Sequence, residues 1–169
     1  MKKIKLFSPK FDSKELSAAV SAIKSSHWAS GDGKNRVKKF EKKFQRFVNS
    51  NECVAVDNGT AAIHLALNIL DIKEKEVIVP SLTFVSTIHA ILYNGGIPVF
   101  TDVNPHTLCI EPKDIQRKIT KKTKVIIPVH FGGLSCDMNS IKKISHENRL
   151  HVVEDAAHAC GTKYHGKKI

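Results

Sequence analysis

The stretch LHVVEDAAHACG, residues 150–161, decides how the chain is organised. An apolar, β-branched run leads directly into two acids and then into small residues, which predicts a short buried strand followed by a turn. In an α/β sheet, side chains at the carboxyl end of a strand face the crevice in which ligands bind. Asp155 is therefore a candidate ligand-binding residue, with His158 three positions further on. Asp is also common at helix N-caps, and the local pattern alone favours that structural role.

Strand and helix patterns alternate through the rest of the chain from residue 52. Apolar segments predict four further strands, at residues 53–56, 77–80, 98–101 and 125–129. The last of these strands delivers His130 to the same sheet edge as Asp155. Apolar residues at three- and four-residue spacing predict helices at residues 61–70, 88–93, 111–119 and 138–144. Five strands joined by helical crossovers indicate an α/β fold with a mostly parallel sheet.

The first 50 residues are interpreted as an N-terminal helical segment, and residues 51–169 as a partial α/β domain. Ser13 is placed to cap a first helix, and a second helix has its apolar residues, from Val37 to Val48, under a lysine-rich outer face. The loop between these helices contains Trp28, the only tryptophan of the chain. A loop tryptophan is either a hydrophobic plug or a contact for a ligand or partner, and without further observations the plug is favoured.

Two turns that follow predicted strands are candidate binding elements. Residues 57–60, DNGT, join a strand to a helix, where the free amides of the first helical turn and the helix dipole together attract an anion. Asn-Gly is also an ordinary turn sequence, so this motif alone allows both interpretations. Phe84 follows the strand at 77–80 and is either a core residue or a flat surface for a ligand ring.

Charge and cysteine content narrow the classes of partner. The 169 residues carry a formal net charge of +11, which favours anionic partners such as a phosphorylated small molecule. No aromatic-interleaved motif indicates nucleic-acid binding. The four cysteines are widely spaced and fit neither a metal site nor a disulfide framework, and no segment indicates a signal peptide or a membrane span. These features predict a cytoplasmic protein with no metal, nucleic-acid or membrane partner.

Five segments occur in an order that is more specific than any one of them. They are NGTAAIHLAL (58–67), PSLTFVST (80–87), PVFTDV (98–103), TKVIIPVH (123–130) and EDAAHA (154–159). Together they resemble the DegT/DnrJ/EryC1/StrS family of pyridoxal 5'-phosphate (PLP) sugar aminotransferases, and residues 81–87 and 154–158 are most similar to the branch that aminates 4-keto nucleotide sugars. The resemblance implies the N-terminal part of the large domain of a fold-type I PLP-dependent transferase, with helices on both faces of the sheet.

The resemblance also implies a role for each candidate residue. The turn formed by Gly59, Thr60 and Ala61 would hold the cofactor phosphate on its amides. Phe84 matches the aromatic residue that stacks on the pyridine ring, Asp155 matches the carboxylate that pairs with the ring nitrogen, and His158 matches a Gln or His close to the phenolic oxygen. Trp28, Ser30 and Gly31 resemble a loop that lies near the sugar nucleotide.

The chain departs from the family in its length. It corresponds to less than half of a full-length member, so the sheet is expected to be incomplete and the C-terminal small domain to be absent. The family's Schiff-base lysine follows a strand well beyond Gly166, and no lysine of this chain lies in that context. The resemblance therefore gives this chain a cofactor site but no catalytic residue, and predicts that it is inactive alone.

The implied activity of the family is transfer of an amino group from glutamate to a keto sugar nucleotide, in the synthesis of surface polysaccharides or glycoconjugates. The complete enzyme is expected to be a homodimer. One alternative is the sugar dehydratase branch of the same family, which has histidine in place of the lysine. The other is a catalytically inactive binding or dimerisation remnant. The position that separates the two enzyme branches lies past Ile169, so both alternatives stay open.

Overall fold

Four parallel strands form the sheet in the part of the chain that the structure, a computed structural model, describes: residues 8–25 and 36–169. The spatial order of the strands is β2-β1-β3-β4, and each pairs in parallel with its neighbours. Their bounds are β1 Glu76–Pro80, β2 Ile97–Thr101, β3 Thr123–Ile126 and β4 His151–Val152. The predicted parallel α/β fold is confirmed.

Six α-helices accompany the sheet in the described residues. They are α1 Ser13–Lys24, α2 Arg36–Val48, α3 Gly59–Ile69, α4 Val85–Tyr93, α5 Pro112–Lys118 and α6 Met138–Asn148. The predicted cap of the first helix was wrong by one residue, because Asp12 is the N-cap and forms a capping box with Glu15. Ser13 is the first residue of that helix. None of the described helices is long and apolar enough to cross a membrane.

Helices cover both faces of the sheet, as the resemblance implied. Val77 and Val79 of β1 pack on one face with buried residues of α3 and α4, among them Leu67 and Ile91. Ile78, between them in sequence, packs on the other face with residues of α5 and α6. This alternation explains why the strand sequence is a continuous apolar run: in a parallel sheet both faces are buried.

The prediction of a strand at residues 53–56 was wrong. No described segment pairs with these residues, and the side chain of Val54 is 78% exposed. The amide of Ala55 donates to Oε1 of Glu41 at 2.9 Å instead of to a neighbouring backbone carbonyl. A strand needs a second backbone beside it, and an apolar sequence cannot supply one by itself.

The N-cap interpretation of Asp155 was also wrong, because no helix follows it. Residues 156–162 form turns closed by bonds such as that from Ala159 N–H to the Ala156 carbonyl at 2.8 Å. The chain then forms an antiparallel hairpin of β5 (Lys163–Tyr164) and β6 (Lys167–Lys168). The division of the chain into two segments at residue 50 stays a prediction.

Candidate cofactor site

Phe84, Asp155 and His158 line one small cleft at the carboxyl ends of β1, β3 and β4. β1 leads into the turn with Thr83 and Phe84, and the segment after β3 reaches the cleft through Val129. A parallel bridge pairs Val129 with Asp155 and extends the contact between these two segments beyond the regular strands. Three of the six residues predicted to bind the cofactor thus come together, at the edge where α/β sheets bind ligands.

The Asp155 carboxylate is half-buried and held by two donors. The Thr87 hydroxyl, on α4, donates to Oδ2 at 2.9 Å, and the Ala157 amide donates to Oδ1 at 3.2 Å. A carboxylate has about four lone-pair sites, so two bonds leave it able to accept from a ligand. This geometry fits the N–H of a protonated ring nitrogen.

Phe84 presents an exposed aromatic ring beside this carboxylate. It is the residue that precedes α4, its backbone is extended, and its side chain is 75% exposed. Aromatic rings usually contribute most to stability when they are buried, and this ring is mostly exposed, so it contributes little to packing. The ring offers a flat apolar surface to a ligand, and the alternative of a core residue was wrong.

His158 contacts the turn that follows β3, a 3₁₀ segment of Phe131–Gly133. Its Nδ1 accepts the Gly132 amide at 3.3 Å, and its ring meets the Phe131 ring edge-on with centroids 6.0 Å apart. Since Nδ1 accepts a hydrogen bond, Nε2 carries the ring proton and can donate it. This leaves a donor suited to a phenolic oxygen.

Gly59, Thr60 and Ala61 lie outside the cleft, in the first turn of α3. The Asn58 side chain caps this helix by accepting the Ala61 amide at 2.9 Å, while the amides of Gly59 and Thr60 have no acceptor among the described residues. A Cβ added at Gly59 would meet no atom within 4 Å. Two free amides at a positive helix end, with open space beside them, fit a phosphate group.

His130 lies at the same sheet edge as Asp155, as the sequence predicted, but its side chain does not line the cleft. It is fully buried, and its ring contacts Cys136 and Glu154 on the side of the sheet opposite to Thr87. The hydrogen bond from His130 is the main reason that the pKa of Glu154 is lowered, and it outweighs the desolvation that acts in the other direction. Trp28, Ser30 and Gly31 lie outside the described residues.

The sequence interpretation missed Thr87, Phe131 and Gly133. Thr87 binds Asp155, Phe131 lines the cleft, and Gly133 lies so close to the loop that a Cβ there would be 2.9 Å from the His158 carbonyl oxygen. The segment HFGG at residues 130–133 was a usable signal, because adjacent glycines after a strand often allow a close backbone approach. No signal near Thr87 in sequence pointed to a partner 68 residues away.

The parallel α/β fold matches that of solved aminotransferases. Residues 10–169 match the DegT/DnrJ/EryC1/StrS aminotransferase family. The chain belongs to this family. It spans less than half the length of the relatives it matches: GDP-perosamine synthase of Escherichia coli O157:H7 is 42% identical over 100% of this chain and 46% of that protein.

Solved structures match with the same fold. A 3-amino-5-hydroxybenzoic acid (AHBA) synthase is 36% identical with a TM-score of 0.91, over 95% of this chain and 42% of that one. A GDP-4-keto-6-deoxymannose-3-dehydratase, solved with trapped PLP and glutamate, is 25% identical with a TM-score of 0.90, over 99% of this chain and 44% of that one. Further matched structures contain PLP or its amine form, pyridoxamine 5'-phosphate (PMP).

Proposed function

We propose that this chain forms the PLP-binding part of an aminotransferase that moves an amino group from glutamate onto a keto sugar nucleotide, for surface polysaccharide or glycoconjugate synthesis. The observation that carries the proposal is the convergence of Phe84, Asp155 and His158 in one cleft. These are an aromatic face, a carboxylate and an imidazole donor. A pyridine ring with a protonated nitrogen and a phenolic oxygen would engage all three groups.

In this proposal each side chain has a separate task. PLP, when bound, would supply a reactive aldehyde and a ring that takes up electron density. Asp155 keeps a proton on the ring nitrogen, because an ionised carboxylate accepts that N–H in a charge-assisted bond. Phe84 covers one face of the ring and excludes water from it. His158 donates from Nε2 to the phenolic oxygen.

The first turn of α3 is proposed to hold the phosphate. The amides of Gly59 and Thr60 would donate to its oxygens, and Ala61 would complete the turn while its own amide stays on Asn58. A helix N-terminus attracts an anion without needing a cationic side chain, and the net charge of +11 adds a favourable long-range field. Trp28, Ser30 and Gly31 are proposed to lie near the sugar nucleotide.

We infer that the chain holds the cofactor but does not turn over by itself. The described residues that line the cleft include no lysine, so no amine is placed there to move a proton or to form the covalent link. The complete protein is proposed to be a homodimer. A dehydratase function is the second candidate, favoured by the match to the solved dehydratase over 99% of this chain. An inactive binding or dimerisation remnant is the third.

PMP binding tests the proposed function. PMP is the better probe because it has no aldehyde and cannot react with the many lysines of the surface. We expect calorimetry to detect PMP binding to the 169-residue chain, weakened roughly 10- to 100-fold by Asp155→Asn, the range that a lost charge-assisted bond accounts for. Asp71→Asn is the matched control, since Asp71 is exposed and far from the cleft in sequence. Equal affinity in both variants, or no binding to the unmodified chain, would contradict the proposal.

A further inference from the structure

His130 is a fully buried histidine with both ring nitrogens partnered. Nδ1 accepts the Cys136 amide at 3.1 Å, so the ring proton must lie on Nε2. Nε2 in turn donates to Oε2 of Glu154 at 3.1 Å. A buried ring with both nitrogens satisfied is held in one orientation, because rotation would leave two polar groups unpaired.

The backbone of the same residue holds Asp155. The His130 amide donates to the Asp155 carbonyl at 3.1 Å, and the Asp155 amide donates to the Pro128 carbonyl at 2.9 Å. His130 therefore holds two consecutive residues: Glu154 through its ring and Asp155 through its backbone. The next turn also starts here, since the Gly133 amide donates to the His130 carbonyl at 3.1 Å.

Glu154 and Asp155 project to opposite sides of an extended segment. The amides of Val153 and Asp155, two residues apart, donate to the carbonyls of Ile126 and Pro128, the pattern of a parallel ladder. Successive side chains in such a segment alternate. Asp155 thus meets Thr87 on the side of α4, and Glu154 meets His130 on the other side.

We propose that His130 is a positioning residue that acts through Glu154 to fix the direction of the Asp155 carboxylate. A backbone rotation that turned this carboxylate out of the cleft would pull Glu154 away from His130. It would leave a buried imidazole N–H without an acceptor, and that penalty keeps the carboxylate in place. The role in cofactor binding rests on the proposed function, whereas the positioning itself does not.

The test uses substitutions of Glu154, whose side chain is partly exposed and tolerates change better than the buried ring. Glu154→Leu and Glu154→Ala both remove the acceptor for His130, and the alanine variant does so without a larger side chain. Glu154→Gln retains an acceptor oxygen. Glu147→Leu is the matched control, an exposed glutamate on α6. Thermal unfolding first establishes that each variant folds.

The first measurement needs no cofactor. NMR spectra of the labelled 169-residue chain give two signals: the nuclear Overhauser contact between the Thr87 methyl and the Asp155 β-protons, and the chemical shift of the Asp155 carboxyl carbon. We expect both signals to be retained in the Glu154→Gln and Glu147→Leu variants. Both signals should change in Glu154→Leu and Glu154→Ala. Unchanged Asp155 signals in a folded Glu154→Ala protein would overturn the positioning role.

The second measurement is PMP affinity. We expect the Glu154→Ala variant to bind PMP about tenfold more weakly, by analogy with the lower end of the loss seen when residues that orient metal ligands are removed. The Glu154→Gln variant should bind within about twofold of the unmodified chain. If PMP binds the unmodified chain and the Glu154→Ala variant with equal affinity, the positioning role of His130 is overturned and the proposed function stands. If PMP does not bind the unmodified chain while the NMR signals change as expected, the proposed function fails and the positioning role stands.

Discussion

At the scale of single residues, a hydrogen bond from the Thr87 hydroxyl holds the Asp155 carboxylate in position. Thr87 is fully buried and has one hydroxyl proton, which it donates to Oδ2 of Asp155 at 2.9 Å. The Thr83 hydroxyl, 2.9 Å from Thr87, must then donate to it. These three residues form a short chain of hydrogen bonds that ends on the charged group, where a hydrogen bond stabilises most.

Thr87→Val is expected to lower the free energy of unfolding by about 1–3 kcal/mol, because valine keeps the shape of threonine but leaves Asp155 short of a donor. A double-mutant cycle with Asp155→Ala, which removes the acceptor, isolates the pair in urea unfolding, and we expect a coupling energy above about 1 kcal/mol. Thr83→Val is the control, since it leaves the bond to Asp155 in place and should have a smaller effect. A coupling energy near zero would show that the carboxylate does not depend on Thr87.

At the scale of elements, the strands and helices that alternate regularly along the chain were predictable from the sequence. The apolar runs of β1, β2 and β3 and the helices between them are recognisable because the spacing of their apolar residues is a property of the local sequence. The segment at 53–56 has the same kind of sequence and forms no strand. Strand pairing depends on a neighbouring backbone segment, and the local sequence does not indicate which segment that is.

The candidate site was predictable in position but not in contacts. Strand ends placed Phe84, Asp155 and His158 at one edge of the sheet, and they line one cleft. The same logic placed His130 there, yet Val129 lines the cleft while His130 contacts Glu154. The end of a strand predicts which edge of the sheet a residue lies at. Because consecutive side chains point to opposite faces, predicting the face also requires the pairing register of the strand.

The turn Phe131–Gly133 is the element that supports His158, and its two glycines make a matched pair. Both have positive φ, 60° at Gly132 and 85° at Gly133. A Cβ at Gly132 would meet nothing within 4 Å, whereas one at Gly133 would lie 2.9 Å from the His158 carbonyl oxygen. Backbone strain is therefore common to both positions, and a steric clash is specific to Gly133.

Gly132→Ala is expected to destabilise the chain by about 1–2 kcal/mol from left-handed backbone strain. Gly133→Ala should lower the free energy of unfolding by a further 1–3 kcal/mol or so, because the loop that contains His158 must shift to relieve the contact. Urea unfolding measures both values. Equal losses in the two variants would mean that the approach of the turn to His158 contributes nothing to stability.

At the scale of the whole molecule, the described surface carries large apolar side chains that the fold does not cover. Phe11 is 80% exposed and Ile69 is 82% exposed, in addition to Val54 at 78%. None of the described residues of α1 and α2 is buried. Single exposed apolar residues are ordinary, but this many on helices and on an unpaired segment favour association with other protein surfaces. The net charge of +11 opposes such contacts by repulsion.

The isolated 169-residue chain is therefore expected to self-associate, and to do so more at higher salt. Salt at about 0.5 M reduces the Debye length to a few Å and removes the repulsion, while apolar attraction persists. Light scattering coupled to size exclusion measures the mass at about 0.05 M and 0.5 M salt, and near-UV circular dichroism reports side-chain packing. Val54→Lys combined with Ile69→Lys should reduce association, whereas Glu147→Lys, an equivalent gain of positive charge at a polar position, should reduce it less. A monomer at both salt concentrations, with fixed aromatic signals and one cooperative unfolding transition, would mean that the exposed apolar surface is tolerated and that the chain is a self-sufficient domain.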